Sequence, residues 1–142
     1  MTEPDQTTQA AWIAIMRTSR RLLEAVEAAL KSAGHPPLAW YDALLEIDKA
    51  GNDGVRPFEL KARLLLPQYG TSRLLDRMVN AELVQRLDCE DDGRGQIVRI
   101  SEKGRWVRKA MWPVYARFLS EEVGAKLTSK EMVQLAKILS KL

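Results

Sequence analysis

Gln68, Tyr69, Thr71, Ser72, Arg73 and Arg77 lie within a ten-residue stretch, and each carries a side chain that makes hydrogen bonds. On the first turns of a helix, a glutamine can bond bidentately to adenine N6 and N7. A tyrosine hydroxyl can reach a base or a phosphate, and a threonine offers its methyl to thymine or its hydroxyl to a phosphate. Ser72 and Arg73 suit anchoring to the phosphate backbone. Arg77 lies one turn beyond Arg73 with Asp76 between, so one arginine can take a phosphate while the other pairs with an acid to hold neighbouring elements. The segment Asp88-Cys89-Glu90-Asp91-Asp92-Gly93-Arg94-Gly95-Gln96 follows and reads as a glycine-bearing turn tipped by Arg94. A narrow A·T minor groove attracts an inserted arginine. Glu90, Asp91 and Asp92 would oppose that, so Asp92 is expected to turn inward, pair with Arg94, Arg73 or Arg77, and shape the loop; a solvated acidic loop is the alternative. Arg56, Lys61 and Arg63 are further phosphate candidates. Together these residues point to reading of double-stranded DNA.

Composition bounds this reading. The chain has 142 residues, 46% hydrophobic and 29% charged, which suits a globular domain with a core of its own. Net charge is only +3, but residues 55 to 110 hold 12 Lys/Arg against 8 Asp/Glu. The positive excess therefore falls where the candidate DNA-reading residues fall, the direction that phosphate neutralisation requires. No apolar run reaches the roughly 18 residues of a membrane span, and Glu3 and Asp5 do not suit a secretory leader. A single cysteine, Cys89, excludes an internal disulfide and fits a reducing compartment, so a cytoplasmic location away from membranes is expected. His35 is the sole histidine, and CxxC, HExxH and glycine-rich phosphate loops are absent. The expectation is a protein that is not an enzyme and needs no cofactor or metal.

The elements that would carry these residues follow from periodicity. Trp12, Ile15, Met16, Leu22, Leu23, Val26, Ala29 and Leu30 mark an amphipathic helix over residues 8 to 33, stopped by Gly34. A second helix is predicted from Leu38 to about Ala50, then a turn at Asn52-Asp53-Gly54 and a very short strand at Val55-Arg56. Pro57 starts a third helix, to about residue 65, and Pro67 a fourth, to about Asn80, burying Leu74, Leu75, Met78 and Val79. Gly70 then falls inside the fourth helix, where it costs about 0.8–1 kcal/mol against alanine. Leu83 to Asp88 and Gln96 to Ile100 flank the acidic turn as a hairpin. Ser101 is placed to cap a fifth helix through Trp106, Val107, Ala110, Val114 and Phe118, with a kink expected near Pro113. Thr128-Ser129-Lys130-Glu131 forms a capping box for a last helix, with Leu127 placed to staple onto Met132. The fold class is mainly α with a small β-hairpin wing. A winged helix-turn-helix core spans 38–100, with dimerisation helices at 1–37 and 101–142. The outer helices are too apolar to stand free in water, and an intertwined dimer would place two reading helices over half-sites about 34–36 Å apart.

With these pieces in order, the chain resembles the MarR family of transcriptional regulators over nearly its whole length. The resemblance rests on Ser72-Arg73-Leu74-Leu75-Asp76-Arg77-Met78, Leu83-Val84-Gln85-Arg86, Asp92-Gly93-Arg94 and Ile100-Ser101-Glu102-Lys103-Gly104-Arg105. It implies a homodimer built on the first, fifth and sixth helices, a fourth helix in the major groove and a wing over the minor groove of a near-palindromic operator. It also implies a repressor released by a small aromatic or phenolic ligand. In that family the ligand pocket lies where the dimer helices meet the reading domain. On that basis Trp12, Trp40, Tyr41 and Trp112 are candidate pocket residues, with Arg17 or Arg20 as partner for a carboxylate. The competing reading of these aromatics is ordinary core packing.

Some members of that family respond to cysteine oxidation, usually through a cysteine near the first helix, where this chain has none. Cys89 stands among Asp88, Glu90 and Asp91, whose charge disfavours a reactive thiolate. A cysteine-oxidation-responsive repressor is thus one alternative. A winged-helix protein-interaction module without DNA binding is another, which the polar and basic residues of the fourth helix oppose.

Overall fold

The computed structural model describes residues 2–66, 70–88 and 95–142. Among the described residues the helices are α1 (Gln6–Ser32), α2 (Leu38–Lys49), α3 (Pro57–Arg63), α4 (Thr71–Asn80), α5 (Glu102–Leu119) and α6 (Ser129–Leu139); the strands are β1 (Val84–Asp88) and β2 (Gln96–Ile100). The chain divides into two compact units, one of residues 34–113 and one of residues 1–33 and 114–142.

In the unit of residues 34–113, α2, α3 and α4 surround an apolar centre of Leu44, Ile47, Leu60, Leu75 and Met78, closed by Val84 and Val98 from the hairpin. Pro57 occupies the first turn of α3, where its missing N–H has no helical partner to lose. The turn expected around Asn52 is a single tight turn, Gly51–Asp53. Gly54 follows with φ 72°, and a Cβ there would come within 2.9 Å of the Val98 carbonyl oxygen. That close approach lets Val55 pair with Val98, so the short strand is one bridge in each direction, Val55 N to Val98 O at 3.0 Å and Val98 N to Val55 O at 2.8 Å. The hairpin is antiparallel with Val84 opposite Ile100 and Asp88 opposite Gln96.

Two boundaries are set by backbone chemistry. Glu82 N donates to Val79 O and Leu83 N to Met78 O, both at 2.9 Å, closing α4 with a Schellman turn. The residue in the left-handed position is Glu82, φ 64°, where a glycine would be usual. Leu83 and Met78, the apolar pair that accompanies such a turn, are both buried. Ser101 Oγ then accepts the Gly104 amide at 3.0 Å and donates to Glu82 O at 2.7 Å, capping α5 and tying it to that turn. Gly104 makes the contact possible, because a Cβ there would overlap the Leu83 carbonyl oxygen.

In the other unit, Asp5 caps α1 by accepting the Thr8 amide at 2.7 Å. Thr128 and Glu131 complete the expected capping box on α6, at 3.1 and 2.9 Å. Past Leu119 the backbone adopts a π turn, Ser120–Gly124, which the sequence pattern did not anticipate. This unit exposes much apolar surface: Trp12, Met16, Val133 and Ile138 are each half exposed or more, and α6 has no buried residue.

Candidate nucleic-acid interface

α4 separates its two faces cleanly. Leu74, Leu75 and Met78 are buried, while Ser72, Arg73, Asp76, Arg77 and Asn80 are exposed, the pattern expected of a short helix with one side in a core and one presented outward. The helix begins at Thr71, later than the sequence suggested. Gly70 is the residue before it, with φ −130° and ψ 55°, so it bears no penalty inside the helix. Thr71 is buried, and its hydroxyl has no hydrogen-bond partner among the described residues.

Among the described residues a concavity lies on either flank of α4. One, of about 500 Å3, runs between α3, α4 and the hairpin and is lined by Arg56, Lys61, Thr71, Ser72, Arg86 and Gln96 among others. It brings together four residues expected to contact DNA: Arg56, Lys61, Thr71 and Ser72. Arg73 and Arg77 face the other, of about 250 Å3, with Pro37, Ala39 and Trp40 from the start of α2. Arg63, a further phosphate candidate, is exposed on α3 and reaches Glu59 at 3.5 Å.

A tie between helix and wing was expected from Arg73 or Arg77. Among the described residues such a tie comes from Arg86 on β1, whose Nη2 meets Asp76 Oδ1 at 2.9 Å and donates to Ser72 O at 3.2 Å. The sequence signal for Arg86 was faint: a basic residue in a strand, two pairs from the end of the hairpin. Asp42 and Asp48 were also missed. Asp42, almost fully buried in α2, accepts the Leu66 amide at 2.9 Å. Asp48 receives Arg105 Nε at 3.1 Å on one oxygen, and Arg108 Nε and Nη2 at 3.1 and 2.9 Å on the other. A detectable signal existed for Asp42, since it follows Leu38 by four residues and so shares the helix's apolar stripe.

Of the candidate effector residues, Tyr41 is buried and stacks on Trp112 with ring centroids 6.1 Å apart. Trp40 lines the cavity beside Arg73 and a second of about 370 Å3 with His35, Trp106 and Val107. Trp12 and Arg17 are exposed and belong to the other unit. Gln68, Tyr69, Cys89, Asp92 and Arg94 lie outside the described residues. Among the described residues, no group of three or more His, Cys, Asp or Glu is placed to hold a metal, and no helix is long and apolar enough to cross a membrane.

A helix-turn-helix with an outward polar and basic face on its second helix, joined to a two-stranded antiparallel wing, defines the winged helix-turn-helix class. The MarR family model matches residues 36–95, which contain α2, α3, α4 and β1. The multiple antibiotic resistance protein MarR of Escherichia coli is 30% identical over 87 residues, 61% of this chain; the chain spans 60% of the length of that relative. Among solved structures, a MarR family transcriptional regulator from Streptomyces coelicolor in complex with DNA superposes with a TM-score of 0.89 at 20% identity, over 99% of this chain and 88% of that one. An organohalide-sensing transcriptional regulator in its 2,4-dichlorophenol-bound form gives 0.81 at 21% identity, over 99% and 85%. Over residues 36–95 the chain is therefore similar to the MarR family, and over nearly its whole length it shares the fold of these solved regulators.

Proposed function

We propose that this protein is a sequence-specific, double-stranded DNA-binding regulator acting in the cytoplasm as a homodimeric repressor. The observation that carries the reading is α4: a helix, buried on one side, that presents Ser72, Arg73 and Arg77 outward beside the wing. Ser72, Lys61 and Arg56 around the larger concavity supply anchoring to phosphates, with Arg73 and Arg77 on the other flank of the helix. From the sequence, Gln68 and Tyr69 are candidates for base edges, Arg94 for the minor groove and Asp92 for shaping the wing; Thr71, buried at the start of α4, is placed to support the helix rather than to reach a base. The apolar surface of α1 and α6 supports the dimer, because exposed patches of this kind mark interaction surfaces. The relative solved with DNA supports the partner.

Release by a small aromatic or phenolic effector is the second half of the proposal. The relative solved with 2,4-dichlorophenol supports it, and Trp40, at the edge of two cavities, is the residue of this chain best placed to take part. The test combines sedimentation of the purified protein with selection of duplexes from a randomised pool. The expected results are a dimer and a near-palindromic duplex of two half-sites, bound more weakly as salt rises. A monomer, or a dimer with no affinity for any duplex at low salt, refutes the reading.

A further inference from the structure

Just after α3, the Leu66 amide is held by a carboxylate that belongs to neither helix of the helix-turn-helix. Asp42 sits in the second turn of α2, is only 7% exposed, and accepts the Leu66 amide through Oδ2 at 2.9 Å. A carboxylate buried this deeply is costly unless it is hydrogen-bonded in its charged form, and a backbone N–H is such a partner. α3 ends as Leu64 turns to an extended backbone, φ −64° and ψ 136°, and the Leu65 side chain is 72% exposed. On the far side of Gly70, Arg86 donates to Ser72 O at 3.2 Å. α4 has no side-chain cap at its own N-terminus. Its start is therefore bracketed by two contacts from outside the helix-turn-helix pair, one from α2 and one from β1.

We propose that Asp42 is a positioning residue for DNA reading: by holding the Leu66 amide it sets where the first turn of α4 stands. This rests on the DNA-binding function proposed above. Contacts to base edges demand placement within about 0.5 Å, whereas attraction between arginines and phosphates tolerates more. Loss of the anchor should therefore erode discrimination between sequences while leaving general affinity for duplex DNA in place.

The full-length wild type first selects its preferred duplex from a randomised pool. Wild type, Asp42→Ala and Asp42→Asn are then titrated with that duplex and with a random one at a single salt concentration. Asp42→Ala is expected to reduce the preference at least about tenfold with random-duplex affinity within about twofold, and Asp42→Asn, which keeps an accepting oxygen, to recover most of it. An unchanged preference in folded Asp42→Ala, or an equal loss on both duplexes, overturns the proposal. If Asp42→Ala does not fold, hydrogen exchange of the Leu66 amide in the wild type decides. A protected wild-type amide, with exchange and preference in Asp42→Asn moving together (both near wild type, or faster exchange with a reduced preference), supports the role; a freely exchanging wild-type amide, or a change in one without the other in Asp42→Asn, overturns it. A wild type that prefers no duplex sinks the DNA-binding reading and this proposal with it. A preference indifferent to Asp42 sinks only the latter.

Discussion

Arg86 Nη2 lies 2.9 Å from Asp76 Oδ1 and 3.2 Å from Ser72 O, so one guanidinium on β1 grips two successive turns of α4. Its Nε is buried without a partner among the described residues. The wing and the helix are joined by this grip as well as by the apolar contacts beneath it. Arg86→Ala and Asp76→Ala, combined in a double-mutant cycle of chemical denaturation, should give a coupling of about 0.5–1 kcal/mol. Asp76 is 59% exposed and solvent screening limits the pair. Zero coupling would show that the pair orients nothing.

Arg73 and Arg77 differ from Arg86 in facing the α2 side of α4. If each neutralises one phosphate, Arg73→Ala and Arg77→Ala should each flatten the slope of log affinity against log salt by about 0.9, and weaken all duplexes alike. A slope that stays at the wild-type value, measured across a salt series, removes that arginine from the phosphate contacts.

Asp48 is the hub of a larger charged cluster, with Arg105 and Arg108 converging on its two oxygens. The side chains of Asp48 and Arg108 are 22% and 18% exposed. Asp48→Ala would leave two arginines close together without their acid. A loss of about 2 kcal/mol is expected, below the value for a fully buried pair because water still reaches the cluster, with a melting midpoint lower by about 5 °C. Asp48→Asn, which keeps the accepting oxygen, should lose less. Thermal denaturation by circular dichroism is the check, and equal midpoints for Asp48→Ala and wild type would contradict the hub role.

Acid sensitivity should be shared by the two capped helices of the unit of residues 1–33 and 114–142. The Thr8 amide holds the Asp5 carboxyl below its ordinary value, and Thr128 does the same for Glu131. A pKa depressed by folding stabilises the fold above the ordinary carboxylate range, and that contribution is lost as pH falls through the folded value. Glu131→Gln should therefore narrow the gap between midpoints measured near neutrality and in mild acid. An unaltered pH profile would mean that the capping box contributes nothing to the titration.

Much of this was legible in the chain itself. Leu74, Leu75 and Met78 marked the buried side of α4, and Pro57 and Thr128 marked helix starts. These are local effects, because backbone periodicity and capping act within a few residues. The start of α4 was less legible. Pro67 suits a first helical turn, yet the helix begins at Thr71, and Gly70 moves from a helix interior to its boundary.

The amino-acid sequence by itself determined the class of the fold, the face of α4 that turns outward, and the kind of side chains on it, since each depends on residues close along the chain. Only the tertiary structure decided which charges meet. Leu66 finds Asp42 across 24 residues, Arg86 finds Ser72 across 14, and Arg105 and Arg108 find Asp48 across 57 and 60. Many acids and bases along the chain could have made such pairs. Packing of α2, α3, α4 and the hairpin around Leu44, Ile47, Leu60 and Met78 selects among them, because it alone brings distant backbone to within hydrogen-bond reach.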